Sequence, residues 1–196
     1  INKIINLNFM RRELKKVVEN SLIKANKQRI MMNQHYSEEV LRYIVMKELS
    51  DAKLWGRFPN TLNTSHSLVF EYDYKKFQKK RGSFKPDIAS ISKELKKTRL
   101  GKSHPLAVEL KITGSLEKDI LKCREYVALK KGKRLFDLAV VIATPSHKEG
   151  FKAITNVDRL KRRQLRNNIP NNEKKILFGW IDPRAEKPKP EIFWVD

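Results

Sequence analysis

A glutamate and a lysine two positions apart in an apolar stretch, with an aspartate upstream that follows a proline, are the residues of this chain best suited to chemistry. They are Glu109 and Lys111, and Asp87 after Pro86. Read as a strand, Leu106–Ile112 alternates its side chains, so Val108, Leu110 and Ile112 face one side while Glu109 and Lys111 share the other. Two positions along a strand are about 6.5–7 Å apart, a spacing at which a carboxylate and an ammonium can flank one phosphate. A second short strand, Asp87 to Ile91, opens at Pro86, since proline is tolerated at a strand's first position. Neighbouring strands lie about 4.8 Å apart, so Asp87 and Glu109 can converge on one divalent cation. Two carboxylates completed by water and substrate phosphate are how Mg²⁺ prefers to be held. Such a metal lowers the pKa of a bound water and stabilises charge on phosphorus. Lys111 would orient the attacking water or neutralise the same developing charge.

Glu-Leu-Lys alone is weak evidence, because it occurs at 13–15 and 94–96 as well as at 109–111. The first two copies sit among further charges and read as solvated faces; only the third lies in a β-like apolar segment. As an ordinary exposed ion pair, Glu109 and Lys111 would contribute under about 1 kcal/mol.

The elements that must position these residues follow from periodicity. Residues 9–26 predict a basic amphipathic helix, with Met10, Leu14, Val17, Val18, Ser21 and Ala25 recurring at helical spacing. A membrane-surface role is open to such a helix, but without a bulky aromatic face it is expected to pack on the domain. A second helix spans roughly 37–53, with Ser37 as N-cap and Glu38 and Glu39 in the first turn. On a 100° wheel Glu48 falls near the middle of its apolar stripe, Glu38 on the edge, and Glu39 points away. Strands are expected at 68–74, 87–91, 106–112 and 136–144, with a helix from 116 to about 130 presenting Leu116, Ile120, Cys123 and Val127 on one face. Beyond these come a basic helix at 158–167 and strands at 175–181 and 191–195.

Composition bounds the partners. Lys and Arg outnumber Asp and Glu by 43 to 22 in 196 residues, a formal charge of +21. That excess destabilises a compact state by self-repulsion unless a polyanion neutralises it, and nucleic acid is the commonest such partner. The segments at 75–81, 93–102 and 159–166 are basic, with Lys79, Lys80, Arg81, Arg159, Lys161, Arg162, Arg163 and Arg166 as expected phosphate contacts. One cysteine, Cys123, excludes an intrachain disulfide and a Cys-based zinc site, and the scattered histidines form no local zinc motif. With a single cysteine, an intracellular protein, cytoplasmic or nucleoid-associated, is expected; no apolar run approaches a membrane span and no signal peptide is legible. Gly101-Lys102-Ser103 ends like a P-loop, but Lys96 stands where that motif needs its first glycine.

Pro86-Asp87 followed by Glu109-Leu110-Lys111, set in a helix–strand–strand–strand–helix–strand order, resembles the PD-(D/E)xK nuclease superfamily with its restriction-endonuclease-like fold. The resemblance covers about residues 35–145. It implies an α/β core with a mixed central sheet flanked by helices. It does not explain either end: residues 1–34 are expected to form a basic N-terminal helical arm, and residues 146–196 a basic C-terminal extension packed on the core. It also implies a nuclease, here a DNA endonuclease, dependent on Mg²⁺ or Mn²⁺. Asp87 and Glu109 would be metal ligands, the Leu110 carbonyl a further ligand, and Lys111 the catalytic lysine. Many members also carry a glutamate on the first core helix. Glu38 fits that role best, because Leu41, Ile44 and Val45 follow it in the family's pattern; Glu48 competes from the wheel. A homodimer or larger complex would suit cutting both strands, although nothing in the sequence requires one. The rival expectations are a non-catalytic nucleic-acid-binding subunit with the same fold, and a membrane-surface or acidic-protein binder driven by charge.

Overall fold

Three apolar runs, His104–Lys111 (β3), Phe136–Ala143 (β4) and Ile176–Ile181 (β5), form the middle of a six-stranded sheet in this computed structural model. The structure describes residues 2–32, 35–55, 66–70, 85–92, 103–113, 116–129, 135–145, 150–167, 169–170 and 173–195. The outer strands are β1 (His66–Phe70), β2 (Ile88–Ser92) and β6 (Pro190–Val195). Spatial order follows chain order from β1 to β6. β1, β2 and β3 are antiparallel neighbours, β3, β4 and β5 run parallel, and β6 returns antiparallel to β5. The chain is thus an α/β protein on a mixed sheet.

Among the described residues four helices cover both faces: α1 (Asn2–Met32) and α2 (Glu38–Ala52) on one, α3 (Leu116–Val127) and α4 (Gly150–Asn167) on the other. Strand alternation sorts the core. Leu106, Val108 and Leu110 of β3, with Leu138, Val140 and Ile142 of β4, pack under α1 and α2. Ala107, Ala139, Val141 and Ala143 face the opposite cluster with Ile120, Cys123, Val157 and Leu160. β3 and β4 are buried along nearly their whole length, as a two-sided parallel strand requires.

α1 runs well beyond 9–26 because nothing between Asn2 and Met32 interrupts it; the segment has neither glycine nor proline. It packs on α2 and across β5 and β6, with Leu14, Val18, Leu22 and Ala25 buried. Its approach is close enough to need a glycine. A Cβ on Gly179 would lie 2.4 Å from Cγ1 of Val18. The Arg11 guanidinium lies 3.6 Å over the Trp194 ring, joining α1 to β6. β5 and β6 lengthen the same sheet, so residues from both ends of the chain pack against 35–145. α4 begins at Gly150, eight residues before the expected start, and buries Val157 and Leu160.

α2 matches its sequence signals closely. Ser37 is its N-cap, with its carbonyl accepting the Leu41 N–H at 3.2 Å, although its hydroxyl makes no capping bond. Lys53 ends the helix in the left-handed conformation, φ 60°, its N–H returning to the Ser50 carbonyl. The expected strand at 68–74 begins earlier, at His66, and its residues 71–74 lie outside the described set. No helix among the described residues is long and apolar enough to cross a membrane.

Candidate active site

Ile88 of β2 stands opposite Val108 of β3, and one residue further along that antiparallel pairing come Asp87 and Glu109. Asp87 has already left the ladder, and its Oδ2 accepts the backbone N–H of Leu110 at 2.6 Å. Where β2 can no longer supply a backbone acceptor, a side-chain carboxylate does so. This bond fixes Asp87 against the carboxyl end of β3.

Glu109 projects toward α3 and is almost fully buried. Its Oε1 accepts the Tyr126 hydroxyl at 2.7 Å and its Oε2 accepts the Lys122 ammonium at 2.9 Å. Lys111, two residues on, shares that face: its Nζ lies 3.0 Å from Oδ2 of buried Asp119. Lys122 joins the two halves, reaching Asp119 Oδ1 at 3.4 Å as well as Glu109. From the other layer, Glu38 at the start of α2 pairs with Arg42 one turn on, at 3.3 Å. Among the described residues, Asp87, Glu109, Asp119 and Glu38 therefore stand against Lys111, Lys122 and Arg42, four formal negative charges to three positive, in a chain carrying +21.

The electrostatics follow from that imbalance and from burial. Burial pushes the Glu109 carboxyl up to about 7, Asp87's negative charge adds to the shift, and Tyr126 and Lys122 oppose it. Burial also raises Asp87, against the Leu110 N–H and the charges of Lys122 and Arg42. Glu38 is raised by burial and then by Asp87, with Arg42 and Lys111 pulling it down. Burial alone would lower Lys122, but Glu109 and Asp119 outweigh it and hold the ammonium charged. Burial and then Glu109's charge raise Tyr126, so its hydroxyl keeps its proton and donates.

The structure thus brings Asp87, Glu109 and Lys111 to one end of the sheet and puts Glu38 within electrostatic reach of Asp87 and Lys111. Leu110 enters through its N–H to Asp87. Glu48 does not join them. It is buried and ion-paired with Lys24 of α1, where the two helices pack. The sequence reading missed Asp119, Lys122 and Tyr126. They were legible as a row at i, i+3 and i+7 on α3, the spacing of one helical face. The helix turns that row inward, burying Asp119 and Tyr126 with Leu116, Ile120 and Cys123, while Val127 is only partly covered. Cys123 is a free thiol deep in the core.

Of the expected phosphate contacts, Lys79, Lys80 and Arg81 lie outside the described residues. Arg159, Lys161, Arg162, Arg163 and Arg166 belong to α4. Arg159 is paired with Glu117 of α3 at 2.9 Å and Lys161 with Glu191 of β6, while Arg162 and Arg163 are exposed.

Hard oxygen donors in a cluster where carboxylates outnumber cations among the described residues suit a divalent cation such as Mg²⁺ or Mn²⁺. Asp87 and Glu109 are the pair that would hold it, because each carboxylate is strained by burial and Glu109 further by its neighbour. Among the described residues no group of three or more His, Cys, Asp or Glu is gathered closely enough to bind a metal alone. A cation here would draw its remaining ligands from water and substrate. No family model, no curated protein and no solved structure matches the chain.

Proposed function

We propose that the chain is a metal-dependent nuclease that hydrolyses phosphodiester bonds of nucleic acid, with DNA preferred by analogy with the PD-(D/E)xK superfamily. The observation that carries this reading is the convergence of Asp87 and Glu109 from adjacent strands, with Lys111 on the Glu109 face. The order α2-β1-β2-β3-α3-β4, with three antiparallel strands followed by a parallel one, supports the restriction-endonuclease-like core. The +21 charge supports a polyanionic substrate.

In this reading Asp87 and Glu109 hold Mg²⁺ or Mn²⁺, with the Leu110 carbonyl as the expected backbone ligand. The bound cation supplies charge for the phosphoryl oxygens and an acidified water. Asp87 is kept in place by the Leu110 N–H, and Glu109 by Tyr126 and Lys122. Lys111 is a positive group beside the reacting phosphate, restrained by Asp119 until substrate arrives. Arg42 pairs with Glu38, and Lys122 with Asp119.

One contact favours a second reading, a non-catalytic nucleic-acid-binding subunit. Lys122 already neutralises one Glu109 oxygen without a metal. Incubating the protein with labelled DNA and RNA of duplex, branched and single-stranded form, in Mg²⁺, Mn²⁺ or EDTA, decides between them. The nuclease reading expects cleavage in metal, none in EDTA, and none from Asp87→Asn, which still binds in Ca²⁺. Binding without cleavage by the parent under every condition transfers the assignment to the binding subunit.

A further inference from the structure

A groove opens where α2 meets the end of β1. Glu39, Arg42, Tyr43 and Met46 line it from successive turns of α2, and Phe70 closes it from the last residue of the edge strand β1. It encloses about 260 Å³. That is below the roughly 300–1,000 Å³ of pockets for drug-sized ligands, and suits one planar ring system rather than a whole nucleotide. Tyr43 is 65% exposed and Phe70 44%, so two aromatic rings border an opening instead of filling the core. Rings kept at the surface beside an arginine suit stacking against a flat π system.

One residue belongs both to the groove and to the carboxylate site. Arg42 lines it, pairs with Glu38 at 3.3 Å and acts electrostatically on Asp87. Arg42 is thus placed to contact the backbone of a strand that has one phosphate at Asp87 and Glu109 and a base in the groove. Bases inside a duplex are stacked on each other and paired, and cannot enter; a base that is unpaired or extruded can. An apolar peptide side chain would fit the same volume, but the chain's excess of 21 positive charges favours a polyanion.

We infer that the groove formed by Tyr43, Met46 and Phe70 receives an unpaired nucleobase of the strand held at the carboxylate site, so that the substrate is single-stranded or locally unpaired nucleic acid. The inference rests on the proposed nuclease reading for the strand's position, and its test reads binding separately from cutting.

The test is fluorescence anisotropy on the full chain in Ca²⁺ with labelled oligo-dT, oligo-U and a blunt DNA duplex of equal length. Tyr43→Ala and Phe70→Ala should each weaken binding of the single strands by roughly tenfold, the scale of one lost base stack, and leave duplex binding unchanged. Tyr43→Phe keeps the ring and should bind like the parent. Loss on oligo-dT or on oligo-U alone identifies which nucleic acid the groove accepts. The inference is overturned if both alanine variants bind single strands like the parent, if single-strand and duplex binding fall together, or if the parent binds only duplex. Cleavage in Mg²⁺ is scored on the same proteins. A parent that never cuts, but loses single-strand binding on Tyr43→Ala, keeps the groove and removes the nuclease reading. A parent that cuts, with variants that bind every probe equally well, does the reverse.

Discussion

The Asp87 carboxylate accepts the Leu110 N–H at 2.6 Å, so the aspartate that would ligate a cation also completes the hydrogen bonding of β3 at the point where β2 ends. The two duties make different demands of the side chain, which allows them to be separated by substitution. Asn can still offer a carbonyl oxygen to Leu110, whereas Ala leaves that N–H without its acceptor. Asp87→Asn should therefore lose cleavage with its melting temperature near the parent's. Asp87→Ala should lose cleavage and about 1–3 kcal/mol of stability, the cost of a buried donor left unmade. Circular-dichroism melts of the two variants check this; equal stability would mean that the Leu110 bond contributes little.

Glu109 makes stability depend on pH in a known direction. Its carboxyl titrates at about 7 in the folded chain against an ordinary 4.5. Between those values the folded chain holds more protons at this site than the unfolded chain, so stability falls as pH rises through the window. The full cost, on the order of 3 kcal/mol, is reached above pH 7. A divalent cation at Asp87 and Glu109 would offset it. Mg²⁺ should thus raise the melting temperature more at pH 8 than at pH 6, where it competes with the proton. Glu109→Gln should remove both the metal effect and this part of the pH slope. A metal-induced shift that ignores pH, or survives in Glu109→Gln, places the cation elsewhere.

Lys111 and Asp119 should come apart in a double-substitution experiment. Lys111→Ala deletes the ammonium expected to act on the phosphate, and also takes from buried Asp119 its 3.0 Å partner, with Lys122 still at 3.4 Å. Stability and cleavage should both drop, because one partner of a buried ion pair has been removed. Adding Asp119→Asn should restore the melting temperature toward that of the parent without restoring cleavage. Recovery of cleavage in the double variant would show that Lys111 served only to neutralise Asp119.

Asp87, Glu109 and Lys111 were legible because a strand's period of two is short and strict: Glu109 and Lys111 had to share a face once 106–112 was a strand. The sheet was legible for the same reason, since β3, β4 and β5 are apolar runs that only a doubly covered sheet can bury. Helix faces are less strict. The wheel put Glu48 at the centre of α2's stripe, and it is indeed buried, but α2 packs on α1 as well as on the sheet, and Lys24 meets Glu48 there. On α3 the choice between Tyr126 and Val127 is one residue of rotation. It was decided by a hydrogen bond to Glu109 that no property of α3 alone contains.

The basic helix α4 should contribute a graded, salt-dependent grip. Arg159 and Lys161 are committed to Glu117 and Glu191, whereas Arg162 and Arg163 are exposed. If the latter two contact phosphates, removing both should lower the slope of log K against log salt by about 1.8 on duplex DNA, at about 0.9 per contact. Arg159→Ala should change the slope less. Titrations of the parent, Arg162→Ala/Arg163→Ala and Arg159→Ala across a salt series measure this, and equal slopes in all three would exclude α4 from the interface.

Glu38 and Glu48 lie on the same helix and answer to different partners, so they give the sharpest separation of site from scaffold. Glu38 is partly exposed, close enough to Asp87 and Lys111 for their charges to act on it, and it pairs with Arg42 on its own helix. Glu48 is buried and its ion-pair partner, Lys24, lies on α1. Glu38→Gln removes one negative charge from the pocket without opening a cavity. Cleavage should fall at least several-fold, while the melting temperature stays within about 2–4 °C, the equivalent of 1 kcal/mol in a chain of this size. Glu48→Gln should do the opposite, leaving cleavage within a few-fold while destabilising the α1–α2 contact by about 1 kcal/mol, since Lys24 is half exposed and recovers solvation. Apparent Mg²⁺ affinity for cleavage provides a third readout, weakened by Glu38→Gln and unaffected by Glu48→Gln. Should Glu48→Gln abolish cleavage in a protein that still melts cooperatively, the helix carboxylate has been assigned to the wrong turn of α2.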